Sequence, residues 1–396
     1  MQSGRELFMS HLAPTSSFPI GLEIERAEGV FLFDKKGNKY FDLISGIAVS
    51  NTGHGRPEIR DAIKKQVDKN LHLMVYGEYI QSPQVLLAGK LTSLLPPSLD
   101  CVYFVNSGSE AIEGALKLAK RVSGRSELIS FRNSYHGSTQ GSLSICGNEV
   151  LKNSYRPLLP VTRILDFNDE TQLDQISTST ACVVAEPIQG EAGVILPEND
   201  FLKKLRDRCS ETGALLIFDE IQTGFGRTGR NFCFEHYKVI PDILCLGKAL
   251  GGGMPLGAFI ASKAIMHTLA DNPPLGHITT FGGHPVCCAS AIAALEILLD
   301  ERLGEQSFTK GNIFRDKFSG HSAIKFRGMG LMMAIEFASP EQNKKIISDC
   351  LEHGVVSDWF LFNDRSMRIA PPLTIRDEEI NECYEVIAEC ISRSER

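Results

Sequence analysis

A chain of 396 residues with 43% hydrophobic and 22% charged residues has the composition of an ordinary globular enzyme, which excludes a disordered or fibrous chain. It is long enough for one large domain with smaller appended parts and a substantial core. The formal net charge of -7 argues against a general nucleic-acid binder.

Met1 to Leu7 lacks the apolar stretch of a secretion signal, and no later apolar run has the length needed to cross a bilayer. A cytoplasmic protein without a membrane partner is therefore expected. After an N-terminal arm, Val30-Phe31-Leu32-Phe33-Asp34 and Lys39-Tyr40-Phe41-Asp42 flank Lys36-Gly37-Asn38, which reads as a hairpin packing apart from the main sheet. From about Pro57 to Leu299, apolar runs at 102–105, 128–131, 182–185, 214–218 and 243–246 alternate with helix-like stretches. That spacing predicts crossover units around a largely parallel sheet. Ile112, Ala115, Leu116 and Ala119 repeat at helical spacing, as do Phe201, Leu202 and Leu205. Beyond about Asp300 come a helix, an apolar stretch at 328–336, a second helix and a strand ending at Pro371-Pro372. The expected fold class is α/β: an arm and hairpin in 1–56, a large domain over 57–299 on a mostly parallel sheet, and 300–396 completing a smaller α+β domain shared with the arm.

The 11 cysteines contain no CxxC pair, and adjacent Cys287-Cys288 suit a disulfide between them poorly, so reduced thiols are expected. The ten histidines show no HExxH or close ligand pairing, so no metal is expected. Lys203-Lys204 and Lys344-Lys345 read as solvated helix faces rather than nucleic-acid contacts.

Three segments carry candidate chemistry. In Asn106-Ser107-Gly108-Ser109-Glu110-Ala111, Ser107 and Glu110 fit a capping box and Gly108 permits close backbone approach. Amides at such a helix start favour a phosphate, although a capped helix with no ligand fits the same residues. Asp219 ends the apolar run Ala214-Leu215-Leu216-Ile217-Phe218, where a carboxylate needs a cation; a protonated pyridine nitrogen, a helix cap or a buried salt bridge would each serve. Lys248 follows a third apolar run and precedes Gly251-Gly252-Gly253, a position that suits a desolvated amine able to attack a carbonyl. A nucleotide P-loop at Gly247-Lys248 fails, because Asp242 stands where its first glycine belongs and Ala249 replaces the Ser or Thr.

With those three segments, nearly the whole chain resembles the class III, fold-type I, pyridoxal-phosphate-dependent aminotransferases, the group of acetylornithine, ornithine, 4-aminobutyrate and putrescine aminotransferases. The landmarks run in family order: Gly46-Ile47-Ala48-Val49, Asn51-Thr52-Gly53-His54, Asn106 to Ala111, Tyr135-His136-Gly137, Glu186-Pro187-Ile188-Gln189-Gly190-Glu191, Asp219 to Gly224, Lys248, Thr279-Thr280-Phe281-Gly282-Gly283 and Arg368. The resemblance implies that pyridoxal 5'-phosphate (PLP) is the cofactor, that Lys248 is its aldimine lysine and that Asp219 pairs with the pyridine nitrogen. It further implies phosphate-binding amides at Gly108 and Ser109, Tyr135 stacked on one ring face, Ile221 on the other and Gln222 at the phenolic oxygen. His136 and Glu186 count among the cofactor-binding residues. Thr280 resembles a threonine that reaches the phosphate of a neighbouring subunit, which implies a homodimer with shared sites.

For substrates, the resemblance implies that Arg368 grips the carboxylate of glutamate or 2-oxoglutarate, with Glu191 covering that arginine when the amine donor has no carboxylate there. Ser138 stands where several relatives carry an arginine for a second carboxylate. The expected reaction moves the terminal amine of an ornithine-type donor such as acetylornithine to 2-oxoglutarate by a ping-pong mechanism. A putrescine-type diamine, 4-aminobutyrate, or a decarboxylase or aminomutase of the same fold are the alternatives.

Overall fold

The computed structural model describes residues 3–321 and 324–394. Strands β1 (Ile24–Glu28), β2 (Phe31–Asp34) and β3 (Lys39–Asp42) form an antiparallel meander. The turn between β2 and β3 winds around Asp34, whose carboxylate accepts the N–H groups of Lys36 and Asn38 at 2.9 and 2.8 Å, while Gly37 takes a φ of 83°. The hairpin stands where the sequence predicts it.

The central sheet comprises β4 (Cys101–Val105), β5 (Glu127–Phe131), β6 (Thr162–Leu165), β7 (Thr180–Ala185), β8 (Leu215–Asp219), β9 (Ile243–Leu246) and β10 (Gly257–Ala261), in the order β4-β10-β9-β8-β7-β5-β6. Neighbours from β9 to β6 run parallel, and β10 runs antiparallel to both β9 and β4. Every residue of β5, β7 and β9 is buried, which is why these strands read as continuous apolar runs rather than alternating ones. Two strands of this sheet fall outside the apolar runs that mark the others in the sequence. β6 is four residues long with an exposed arginine, and β10 opens on Gly257, where a Cβ would stand 2.2 Å from the Ser107 carbonyl oxygen.

The helix Gly108–Ser123 buries Ile112, Ala115, Leu116 and Ala119, and the helix Phe201–Thr212 buries Phe201, Leu202 and Leu205, as their spacing predicts. The apolar stretch 328–336 is not one strand. Gly330, at a φ of 56°, turns the chain between β11 (Lys325–Met329) and β12 (Met332–Glu336), which pair antiparallel. Next, β13 (Val355–Val356) pairs parallel with β3, so that a C-terminal segment completes the N-terminal sheet. Finally β14 (Trp359–Phe360) and β15 (Asn363–Ile369) extend the β11-β12 sheet in the order β11-β12-β15-β14.

All eleven cysteines are free thiols, ten of them buried. Among the described residues no cluster of three or more His, Cys, Asp or Glu could hold a metal, and no helix is long and apolar enough to cross a membrane.

Candidate active site

The carboxyl ends of β4, β7, β8 and β9 converge, as they must in a parallel sheet whose helices cross over behind it. They deliver the segment after Val105, then Glu186, Asp219 and Lys248 to one cavity of about 160 Å³. Gly108, Ser109, Tyr135, His136, Glu191, Ile221 and Gln222 line it as well. A larger cavity of about 280 Å³, beside Tyr103 and Thr279, has no charged lining residue.

At the start of the helix Gly108–Ser123, Ser107 Oγ accepts the Glu110 N–H at 3.2 Å. The reciprocal half of the expected capping box is displaced by one residue. Glu110 accepts the backbone and side-chain N–H groups of Asn106, both at 2.8 Å, instead of the Ser107 N–H. Gly108 leaves the amide edge bare, since a Cβ there would stand 2.8 Å from the Ile221 side chain. Gly137, at a φ of 129°, is equally constrained, because a Cβ would meet Ser109 Oγ at 2.2 Å.

The loop carrying Tyr135 and His136 is fastened from several sides. Glu186 Oε2 accepts the Tyr135 N–H at 3.2 Å, and the Cys146 thiol sits between the His136 N–H and the Gly137 carbonyl at 3.3 and 3.4 Å. Glu113 accepts from Thr139 Oγ1 and from the Gly141 and Ser142 N–H groups at 2.5, 2.7 and 3.1 Å. Neither Cys146 nor Glu113 was among the sequence candidates: a lone cysteine and a polar position on an amphipathic helix carry no pattern that would single them out.

Asp219 is 4% exposed, and its carboxylate is fixed at both oxygens. Oδ2 meets His136 Nδ1 at 2.8 Å, and Oδ1 accepts the Ile221 N–H at 3.1 Å. The buried-pair alternative for Asp219 is therefore present in the chain itself, with His136 behind the carboxylate. His136 Nε2 is buried without a hydrogen-bond partner. Glu186 accepts the Gly190 N–H at 3.0 Å, and burial, reinforced by the nearby Asp219 charge, pushes its carboxyl up to about 7 against the pull of His136.

Lys248 follows Gly247 with a φ of 48°, a left-handed geometry rare for a lysine and a mark of a position fixed by its surroundings. Burial lowers its pKa, against an opposing pull from Glu191. Its amine has no hydrogen-bonding partner among the described residues.

At the far end, Arg368 Nη2 lies 3.1 Å from both oxygens of Glu191, and Nε donates to Asp358 Oδ1 at 2.7 Å. The guanidinium carbon sits 4.3 Å from the centroid of the Phe360 ring. Burial opposes the charge of Glu191, yet Arg368 holds its carboxyl below the ordinary value. Gln222 Nε2 approaches Glu191 at 3.5 Å, and has room only because residue 190 is glycine: a Cβ there would fall 1.7 Å from Gln222 Oε1. Asp358 had no signal in the sequence, since a short strand separates it from any motif.

Three sequence candidates lie off the cavity wall: Arg368, which meets it through Glu191, and two exposed residues. Ser138 is exposed, reached through the Tyr135 hydroxyl at 3.1 Å, and Thr280 is exposed on the irregular segment before the helix Pro285–Asp300.

This donor set fits PLP. A bare helix start for a phosphate, a carboxylate fixed at both oxygens, Tyr135 and Ile221 among the lining side chains and an unpaired lysine amine are its chemical counterparts. The family model for class-III aminotransferases matches residues 12–391. The chain is 37% identical over 387 residues to the acetylornithine aminotransferase of Methanopyrus kandleri, covering 97% of each. It is 39% identical over 376 residues to the putrescine aminotransferase of Pectobacterium atrosepticum, covering 90% of this chain and 79% of that one. Its fold matches a structure of the ornithine aminotransferase from Toxoplasma gondii, which holds PLP at partial occupancy, with a TM-score of 0.91 and 30% identity over 98% of this chain and 93% of that one. The chain belongs to the class-III aminotransferases and is a PLP-dependent transaminase.

Proposed function

We propose that the protein moves the terminal amino group of an ornithine-type donor, such as acetylornithine, to 2-oxoglutarate by a ping-pong mechanism. The observation that carries this reading is the closed Glu191–Arg368 pair beside Lys248. With Glu191 in place the arginine is neutralised, so a donor with no carboxylate at that end can enter. A 2-oxo acid with a carboxylate there takes the place of Glu191 on the same guanidinium. One pocket thus serves both half-reactions.

PLP supplies the carbonyl carbon that exchanges amines and a ring that accepts electron density from the substrate carbon. The chain does the rest. Amides at Gly108 and Ser109 would bind the phosphate, Tyr135 and Ile221 would flank the ring, and Gln222 would meet the phenolic oxygen. Asp219, immobilised by His136 and the Ile221 N–H, would hold a proton on the pyridine nitrogen, with Glu186 beside it. Lys248 would carry the cofactor at rest, and its lowered pKa suits Nζ to take and move a proton at the substrate carbon.

Thr280 completes the phosphate site of a second copy in a homodimer. In support, it is exposed and off its own cavity, and Leu71, Tyr79, Ile80 and Phe281 are large apolar side chains left exposed, with Ile80 94% accessible. The eleven free thiols suit a reducing, cytoplasmic setting.

A putrescine-type diamine is the second reading. It is favoured by Ser138, which leaves that side of the cavity without the guanidinium a second carboxylate would use. A donor panel on the PLP-loaded protein tests both: acetylornithine, ornithine, 4-aminobutyrate and putrescine, each with 2-oxoglutarate. Acetylornithine is expected to have the highest kcat/KM, with glutamate formed in equal amount and parallel double-reciprocal lines. Activity confined to α-amino acids would overturn the terminal-amine reading. Carbon dioxide release or a rearranged amine without 2-oxoglutarate would point to a decarboxylase or aminomutase instead.

A further inference from the structure

We infer that Asp358 is a positioning residue for Arg368: it holds Nε of the guanidinium, so that Nη2 faces Glu191 and then the carboxylate of a 2-oxo acid. The inference rests on Arg368 being the group that grips the acceptor. A guanidinium can offer a carboxylate either its Nε/Nη edge or its Nη/Nη edge, and a buried arginine free to rotate would sample both. Arg368 is only 3% exposed, and Phe360 covers one face of its fork.

The two carboxylates around it are held unequally. The Nε contact to Asp358 is short, 2.7 Å, and the main chains of the two residues are joined as well, with the Arg368 N–H donating to the Asp358 carbonyl at 2.9 Å. Ser357 Oγ adds a bond to the Arg368 carbonyl at 2.6 Å. Asp358 therefore moves with the arginine. Glu191 has only longer side-chain contacts, 3.1 Å to Nη2 from each oxygen, 3.2 Å to the Leu361 N–H and 3.5 Å to Gln222. It is the carboxylate that can leave.

Charge alone does not explain a second carboxylate here. The repulsion from Asp358 falls on Glu191 and on an incoming carboxylate nearly alike, and so largely cancels when one replaces the other. Orientation does not cancel. Without an acceptor at Nε, the exchange site loses its geometry.

The test uses the full PLP-loaded chain, with the two half-reactions followed separately by absorbance. One takes acetylornithine, whose reacting end carries no carboxylate for Arg368, and the other 2-oxoglutarate. Asp358→Ala is expected to raise the KM for 2-oxoglutarate about tenfold, with the limiting rate and the acetylornithine half-reaction within about twofold. Asp358→Asn keeps an oxygen for Nε and should stay within about threefold of the parent. Asp358→Glu keeps the charge and displaces it, and should raise the KM even if the alanine variant does not fold. An unchanged KM in Asp358→Ala or Asp358→Glu, an Asn variant as impaired as Ala, or equal slowing of both half-reactions would overturn the inference. Arg368→Ala separates the two readings. If it raises the KM while Asp358→Ala does not, only the role of Asp358 falls; if it leaves the KM unchanged, both fall.

Discussion

At the Asp219 end of the cavity a carboxylate meets a histidine ring and a backbone N–H; at the Arg368 end a guanidinium meets two carboxylates. The first group of contacts stands at the tip of a central strand, with a partner loop pinned by Glu113, Cys146 and Glu186. The second draws on β15 and on loops some 170 residues apart in sequence, with Glu191 alone accounting for its longest bonds. On the proposed mechanism, a proton has to stay in place on a ring nitrogen at one end, whereas one carboxylate has to replace another at the other end. Strand tips give the fixed geometry, and an oversupplied arginine gives the exchangeable one.

The sharpest break removes the residue that serves both ends. In Lys248→Ala, borohydride reduction should no longer link PLP to the chain by intact mass, and turnover should fall by about 10⁴-fold or more. A retained covalent adduct would refute the assignment of this lysine.

At the fixed end, the pH response of stability follows from Glu186. Burial, the leading cause, pushes its carboxyl up to about 7 from the ordinary 4.5. Between those values the native state holds a proton that the unfolded state has lost. Stability therefore declines as pH rises through that window and is fullest below it, by on the order of 3 kcal/mol for this group. Glu220, buried under the Cys233 and Phe234 N–H groups and likewise raised to about 7, adds a similar decline. Glu186→Gln should roughly halve the loss of urea stability between pH 5 and pH 8. An unchanged slope would mean that Glu186 is ionised throughout.

At the exchangeable end, Glu191→Gln weakens the resident competitor for Arg368. The KM for 2-oxoglutarate should fall about tenfold, and the preference for donors lacking a carboxylate at that end should narrow by a similar factor, as measured by the ratio of kcat/KM values. A ratio that does not move would show that Glu191 is not the group displaced.

The same contrast governs what the sequence reveals. Buried parallel strands announce themselves as apolar runs, so the positions of Asp219 and Lys248 at strand ends follow from the pattern around them. β10 does not, because its opening glycine is dictated by the passing Ser107 backbone rather than by a period. The turn at Gly330 is hidden for a similar reason: residues on both sides are apolar, and only a φ of 56° marks the reversal. At the substrate end, Glu191 and Arg368 are legible through family motifs, but Asp358 is not. Its role depends on β14 lying beside β15, a pairing that local sequence does not encode. The pairing of His136 with Asp219 likewise joins residues 83 positions apart.

The smallest effect concerns the helix cap at the phosphate end. Ser107→Ala deprives the Glu110 N–H of its acceptor and should cost about 1 kcal/mol in urea unfolding. Glu110 keeps both bonds to Asn106, so the damage stays confined to the first turn, where the Gly108 and Ser109 amides are. If those amides bind phosphate, the variant should bind PLP a few-fold more weakly and pyridoxal, which lacks the phosphate, no differently. Equal weakening for both ligands would place the effect of the cap on the cavity as a whole, and would remove the contrast between a fixed phosphate end and an exchangeable arginine end at its most exposed point.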